Sequence, residues 1–268
     1  MTNFLPAEEQ ALTRRFLETG HIIAPAEDRA ALDRIRDLLV HAACDWLDCP
    51  LPASPDAFLN GIGDRVPVDR LNDFRLHQIG RLNAEPWARA AYFAAARRTL
   101  EILVGNELAM QRRLNLSIQL SGDSSSLLPV HADVWSGDSP FELVLWIPLV
   151  DCYRTKSMYL LPPGPAQALE GRMADYTGRN TDDIYRDIEP DLLWLDIPYG
   201  HFLLFNQNLP HGNRVNQEPE ARWSMNCRFK GVFTPYADKR LGEFFEPITL
   251  RAASRIGMAY DYPNGFKE

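Results

Sequence analysis

Apolar positions in the first third of the chain recur at helical spacing. Over Ala7 to Glu18, Leu12, Phe16 and Leu17 gather on one side of an amphipathic helix. Glu27 to Trp46 repeats the pattern through Ala31, Leu32, Ile35, Leu38, Leu39 and Ala42. Residues 86–112 form a further Ala-rich, apolar-periodic stretch that predicts helix up to Arg112 and Arg113. Between these, Pro50 to Gly63 is punctuated by Pro and Gly and reads as loop. From Asn115 the pattern shortens. Asn115–Leu120, Phe141–Leu149, Lys156–Leu161, Leu192–Ile197, His201–Asn206 and Arg222–Thr234 are short apolar or alternating runs bounded by turn residues. They predict strands of a sandwich or barrel. Residues 165–190 interrupt them with polar, partly helical sequence, and residues 247–260 suggest a closing helix. The expectation is a single mainly β domain over 1–268, with a mostly helical flank at 1–114, a β core at 115–234 and a closing segment at 235–268.

Length and charge narrow the function classes. A chain of 268 residues has room for one large domain with an internal pocket. Acidic residues outnumber basic ones by 36 to 28, which argues against a nucleic-acid partner. The longest apolar runs fall short of a membrane span, and the N-terminus MTNFLPAEEQ lacks a secretory signal pattern. Cys44, Cys49, Cys152 and Cys227 make no zinc spacing and read as free thiols, so the expected setting is cytoplasmic. No phosphate-binding loop, H-E-x-x-H or nucleophile-elbow motif occurs, and the pair Gly61 and Gly63 lacks the third glycine of a dinucleotide fingerprint.

Among the histidines, His131 and His211 stand apart. His131 and Asp133 form an H-x-D, which places both side chains on one face of an extended segment. The bland reading of that motif alone is a loop aspartate beside a structural histidine. His211 follows the strand-like HFLLFNQ and sits in LPHGNRVN. Two histidines and a carboxylate with open positions are the donor set of non-haem Fe(II) oxygenases. Downstream, Arg222, Ser224, Asn226 and Arg228 share one face of a strand, and Trp223, Met225, Cys227 and Phe229 share the other. A polar inner face is costly unless it meets a polar or charged ligand, and an arginine suits a carboxylate.

The sequence from about 115 to 234 resembles the phytanoyl-CoA-dioxygenase-like branch of the Fe(II)/2-oxoglutarate-dependent oxygenases. The resemblance rests on HAD at 131–133, LVLWIPLVD at 143–151, KSMYLLPPG at 156–164, GHFLLFNQNLPHGNRVN at 200–216 and Arg222. Lys156 and Ser157 stand where the family has Asn-Gly, and His201 stands where it has Asp. The resemblance implies a double-stranded β-helix (jelly-roll, cupin-like) core. It implies Fe(II) on His131, Asp133 and His211, 2-oxoglutarate as co-substrate with its distal carboxylate on Arg222, and O2 as oxidant. Retention of Asp133 implies hydroxylation or a related oxidation rather than halide transfer.

Weaker candidates accompany these. Gln119, with Asn115 and Ser117, occupies the polar face of a strand and either binds 2-oxoglutarate or faces solvent. Lys156 either pairs with a carboxylate or is a surface lysine at a strand end. Trp135, Asp138 and Glu142 follow the metal motif, and Trp135 could stack on a ring or sit in the core. Arg228 is either a substrate anion clamp or a salt-bridge partner at the rim. The expected partner is a small-molecule substrate: a sugar, sugar nucleotide or aminoglycoside-like intermediate, or alternatively a free or carrier-linked amino acid. A non-catalytic jelly-roll binding module and a cupin-type metalloenzyme without 2-oxoglutarate are the readings from other classes.

Overall fold

A computed structural model describes residues 4–263. Its elements in chain order are α1 (Ala7–Thr19), β1 (His21–Pro25), α2 (Arg29–Leu47), α3 (Pro55–Asn60), α4 (Leu71–Ala84), α5 (Ala88–Ala94), α6 (Arg97–Leu103), β2 (Leu108–Gln111) and β3 (Asn115–Gln119). There follow β4 (Glu142–Pro148), β5 (Tyr159–Leu160), α7 (Pro163–Glu170), α8 (Thr181–Ile188), β6 (Leu193–Trp194), β7 (His201–Asn206), β8 (His211–Gly212), β9 (Arg222–Gly231), β10 (Phe245–Pro247) and α9 (Ala252–Met258). The main antiparallel sheet runs β1-β7-β4-β9-β2-β10, with β3 also paired to β9, and a smaller sheet runs β6-β5-β8. A bridge between His131 and His211 extends the smaller sheet. The two sheets form a double-stranded β-helix with helices packed outside it. Among the described residues, no helix is long and apolar enough to cross a membrane.

Strand β9 sits at the centre of the main sheet and explains its layering. Its odd-numbered side chains, Trp223, Met225, Cys227 and Phe229, are fully buried. Trp223 meets Phe74 of α4 edge to face, and its Nε1 donates to Leu59 O over 2.9 Å. Phe229 packs on Phe93, at the end of α5. Tyr92 of α5 is also buried and donates to Leu145 O of β4 over 2.6 Å. The helical layer thus covers one face of the sheet. The even-numbered residues of β9 are left to the interior between the sheets.

The sheet is wider than residues 115–234. β1, β2 and β10 belong to it, so the helical flank and the closing segment each contribute strands. The stretch at 86–112 is not one helix. It breaks at Ala96 into α5 and α6 and then enters β2. The break has a tertiary cause: the Glu27 carboxylate accepts from Arg98 N, Thr99 N and Thr99 Oγ1 at 2.6, 2.9 and 2.8 Å, capping α6 from far along the chain. Pro50 to Gly63 contains α3, with Ser54 as its N-cap. The interruption at 165–190 is docked rather than loose. Tyr185 of α8 packs on Tyr159, and Arg214 lies over Tyr185 while pairing with Asp182 at 2.8 Å.

Candidate active site

The smaller sheet and the turn after it bring three donors together. His131 and His211 exchange both backbone hydrogen bonds, at 3.0 and 2.8 Å, which sets their rings side by side. Ala132 is extended, and Asp133 then opens a 3-10 turn over Asp133–Ser136, with its N–H donating to Gln207 O. The His131, Asp133 and His211 donor atoms all lie within 4.8 Å of one another, a group able to hold a metal ion. His131 Nδ1 lies 2.8 Å from Pro129 O, and His211 Nδ1 lies 2.8 Å from Leu209 O. A carbonyl only accepts, so both Nδ1 atoms carry a proton, and both Nε2 atoms face Asp133. Asp133 Oδ1 is 3.5 Å from His131 Nε2 and 3.9 Å from His211 Nε2.

The electrostatics of the cluster follow from its burial. Burial works to raise the Asp133 carboxyl, but the His131 hydrogen bond and the Arg228 and His211 charges outweigh it and hold the group well below its usual range. His211 is fully enclosed, and burial together with the His131 charge pushes it down to about 4, so it is neutral. For His131, burial acts downward but the bonds to Asp133 and Pro129 O prevail, and its pKa is raised.

These donors line a cavity of about 250 Å³ between the two sheets. The main sheet contributes Ser117, Val144, Trp146, Ser224, Asn226 and Arg228 to its wall, and Met158, Phe205 and Gly212 line it too. Gly212 is there for space: a Cβ would fall 2.6 Å from Tyr159 Oη and 2.7 Å from Leu128 O, so any side chain would push this wall off His211. At the start of β9, Arg222 is 3% exposed and lines the same cavity. Its Nη1 donates to Ser157 O at 3.0 Å and its Nη2 to Ser117 Oγ at 3.1 Å, while Nε is buried without a partner. Burial, with Arg75's charge acting the same way and Cys152 against it, brings Arg222 down to about 10.

The structure sorts the other sequence candidates. Arg228 lines the cavity but is not free to clamp a substrate anion: its Nη2 holds Asp133 Oδ2 at 2.7 Å and its Nε donates to Gln207 Oε1 at 3.2 Å. Gln119 is buried beside Arg222 in the β3–β9 register, outside the cavity wall. Its amide N–H donates to Arg214 O, which leaves Oε1 as the unpaired atom, the wrong polarity for a carboxylate. Lys156 lies in a 3-10 turn rather than a strand, and it is fully buried rather than on the surface. Its ammonium donates to Asn60 Oδ1 and Glu220 Oε2, both at 2.6 Å, and it does not line the cavity. Trp135 is 38% exposed and lies outside the cavity wall. Glu142 is fully buried away from the cavity, where it accepts from Ser139 N and Gln207 Nε2. Asp138 pairs with Lys239 at 2.7 Å.

A relay of side-chain amides runs along the wall. Arg228 N–H donates to Gln111 Oε1 at 3.3 Å, Gln111 Nε2 to Asn115 Oδ1 at 3.2 Å, and Asn115 Nδ2 to Asn226 Oδ1 at 2.8 Å. Because the relay starts at a backbone N–H, which only donates, the direction of every amide in it is fixed. Asn226 therefore presents its NH2 group to the cavity as a donor. The sequence signal was the polar face of β9, but Gln111 lies in a stretch read as helix.

No protein-family model and no curated protein matches the chain. Solved structures do resemble it. The non-heme alpha ketoglutarate dependent carbocyclase SnoK from nogalamycin biosynthesis superposes with a TM-score of 0.55 at 15% identity, over 92% of this chain and 97% of that one. A ThoJ non-heme monooxygenase–nickel complex gives 0.54 at 15% identity, over 84% and 79%. HygX from Streptomyces hygroscopicus, with nickel and 2-oxoglutarate bound, gives 0.51 at 15% identity, over 88% and 90%. At this identity the likeness establishes the shared fold, and the chemistry rests on the residues described above.

Proposed function

We propose that this chain is a non-haem Fe(II) enzyme that uses 2-oxoglutarate and O2 to hydroxylate a small polar metabolite. One observation carries the reading: a cluster of two histidines and a carboxylate shares a cavity with a fully enclosed arginine whose Nε has no partner. His131 Nε2, Asp133 Oδ1 and His211 Nε2 would hold the iron, a donor set suited to Fe(II) with open positions. The iron and its co-substrate supply the O2 chemistry, with 2-oxoglutarate leaving as succinate and CO2. Arg222 supplies the charge for the distal carboxylate. The enclosing apolar residues, Val144, Trp146, Met158 and Phe205, keep water from the site.

The substrate class follows from what remains of the wall. Arg228 and Lys156, the anchors an amino-acid substrate would need, are committed to Asp133 and Glu220. The Asn226 amide is left as a neutral donor, suited to a hydroxyl or ether oxygen of a sugar, sugar nucleotide or aminoglycoside-like molecule. A cavity of about 250 Å³ leaves space for the co-substrate and the reacting end of such a molecule. The test is anaerobic. Fe(II) and then 2-oxoglutarate are added to metal-free protein, and a weak visible charge-transfer band is expected that needs both and is absent in His211→Ala. Succinate release is then screened against sugars and sugar nucleotides. Iron binding without the band would remove 2-oxoglutarate and favour a cupin-type enzyme. No iron binding would leave the binding-module reading.

A further inference from the structure

We infer that Arg228 is a positioning residue that keeps Asp133 a one-oxygen ligand, and so keeps a coordination position open. The inference rests on the metal site proposed above. The two oxygens of Asp133 are divided between two tasks. Oδ1 faces His131 Nε2 and His211 Nε2 at 3.5 and 3.9 Å. Oδ2 faces away from them, onto Arg228 Nη2 at 2.7 Å. A carboxylate with both oxygens free can chelate a divalent ion, whereas one whose outer oxygen is held by a guanidinium offers a single atom.

Arg228 is itself fixed, which separates it from an arginine awaiting a substrate. Nε donates to Gln207 Oε1 at 3.2 Å and lies 3.6 Å from Asp138 Oδ2. Asp138 is in turn held by Lys239 at 2.7 Å. Gln207 is fully buried and donates to Ser139 O and Glu142. The backbone does the same from the other side, since Asp133 N–H donates to Gln207 O. Gln207 thus binds both partners of the Arg228–Asp133 pair.

Denticity matters because of what must still bind. Three protein donors on an octahedral ion leave about three positions, two for a chelating 2-oxo acid and one for O2. A second oxygen from Asp133 would take one of them.

The experiment uses Mn(II) as the probe. Wild-type, Arg228→Met and Arg228→Lys proteins are loaded with Mn(II), and exchangeable waters on the ion are counted by line broadening in 17O-enriched water. The Mn(II) and 2-oxoglutarate affinities are measured alongside. Arg228→Met is expected to retain Mn(II), to lose about one of about three waters, and to bind 2-oxoglutarate at least tenfold more weakly. Arg228→Lys, which can still hold Oδ2, is expected to restore the wild-type water count. Where Arg228→Met does not fold, Arg228→Gln, too short to reach Asp133, is expected to lose the same water. Wild-type binding of Mn(II) with an unchanged count in the folded variant overturns the role of Arg228 alone. Failure of the wild-type protein to bind Mn(II) overturns the metal site as well.

Discussion

Two arginines on strand β9 should respond unequally to the same substitution. Arg222→Met removes a cation whose partners, Ser157 O and Ser117 Oγ, are uncharged. Its pKa of about 10 corresponds to about 3 kcal/mol of penalty on the charged form at neutral pH. Against that stand two hydrogen bonds from the charged guanidinium, worth about 1.5 kcal/mol each. Metal-free Arg222→Met is therefore expected to match wild type to within about 1 kcal/mol. Arg228→Met instead leaves Asp133 and Asp138 as buried carboxylates without their arginine, and is expected to cost about 3 kcal/mol. In a chain of this size, each kcal/mol moves the melting midpoint by about 2–4 °C.

The assay is equilibrium denaturation of metal-free protein with and without 2-oxoglutarate, supported by thermal melts. Ligand at about 100 times its Kd should stabilise wild type by about 2.7 kcal/mol and Arg222→Met by none of it. A pH series adds a sign. The folded state binds its Arg222 proton less tightly than the unfolded state does. The penalty is therefore fully present below about pH 10 and is relieved as pH rises through that value. Wild type should gain on Arg222→Met over the same range. A loss of about 3 kcal/mol in metal-free Arg222→Met would refute the reasoning, because it would mean that the guanidinium is already compensated.

His131→Ala and His211→Ala should each weaken Ni(II) binding at least a hundredfold in calorimetric titration, and full affinity in either variant would remove that histidine from the ligand set. Gly212→Ala forces a Cβ against Tyr159 Oη and Leu128 O; a loss of about 1–3 kcal/mol is expected together with weakened Ni(II) binding. If both melting point and titration are unchanged, the close packing around His211 is not needed. Lys156→Met replaces a fully buried ammonium whose partner Glu220 is 42% exposed and can hydrate. Its stability should change by about 1 kcal/mol at most, with 2-oxoglutarate affinity intact. A tenfold loss of that affinity would return Lys156 to the co-substrate site.

The long elements were readable in the sequence because their periodicity is decided locally. Helix α2 and strand β9 each keep a consistent apolar face over many residues, whereas on helix α1 only Phe16 is buried and Leu17 is exposed. The two-residue strands β5, β6 and β8 carry too little pattern, and pairing partners set their limits. Strand β1 was missed because five residues between two helices look like a linker until β7 pairs with all of them. The false helix at 86–112 has the composition of a helix; what breaks it is Glu27, which local periodicity cannot register. The His131, Asp133 and His211 cluster was legible because H-x-D is local and His211 follows a clear strand. The status of Arg228 and Lys156 was not. Whether a cation is free depends on which carboxylate the fold brings to it, and Asp133 and Glu220 both lie far from their partners in sequence.

The charges around the cavity explain why its two ends depend on each other. Arg228 offsets Asp133 and Lys239 offsets Asp138, so these two couples are neutral together. Arg222 has no such anion: Cys152, the one acidic group acting on it, is fully buried and pushed up to about 12, so it remains a neutral thiol. On Arg222 the metal-free cavity therefore carries an unmet positive charge. A divalent cation alone adds to that charge, and a dicarboxylate alone finds only one cation to face. Together they offset each other, with the dianion between the metal donors and Arg222. Each ligand then improves the site for the other by the same factor, as linkage requires. Holding Asp133 to one oxygen sacrifices some affinity for the bare metal, and the stranded charge on Arg222 makes that loss recoverable only when the dicarboxylate arrives.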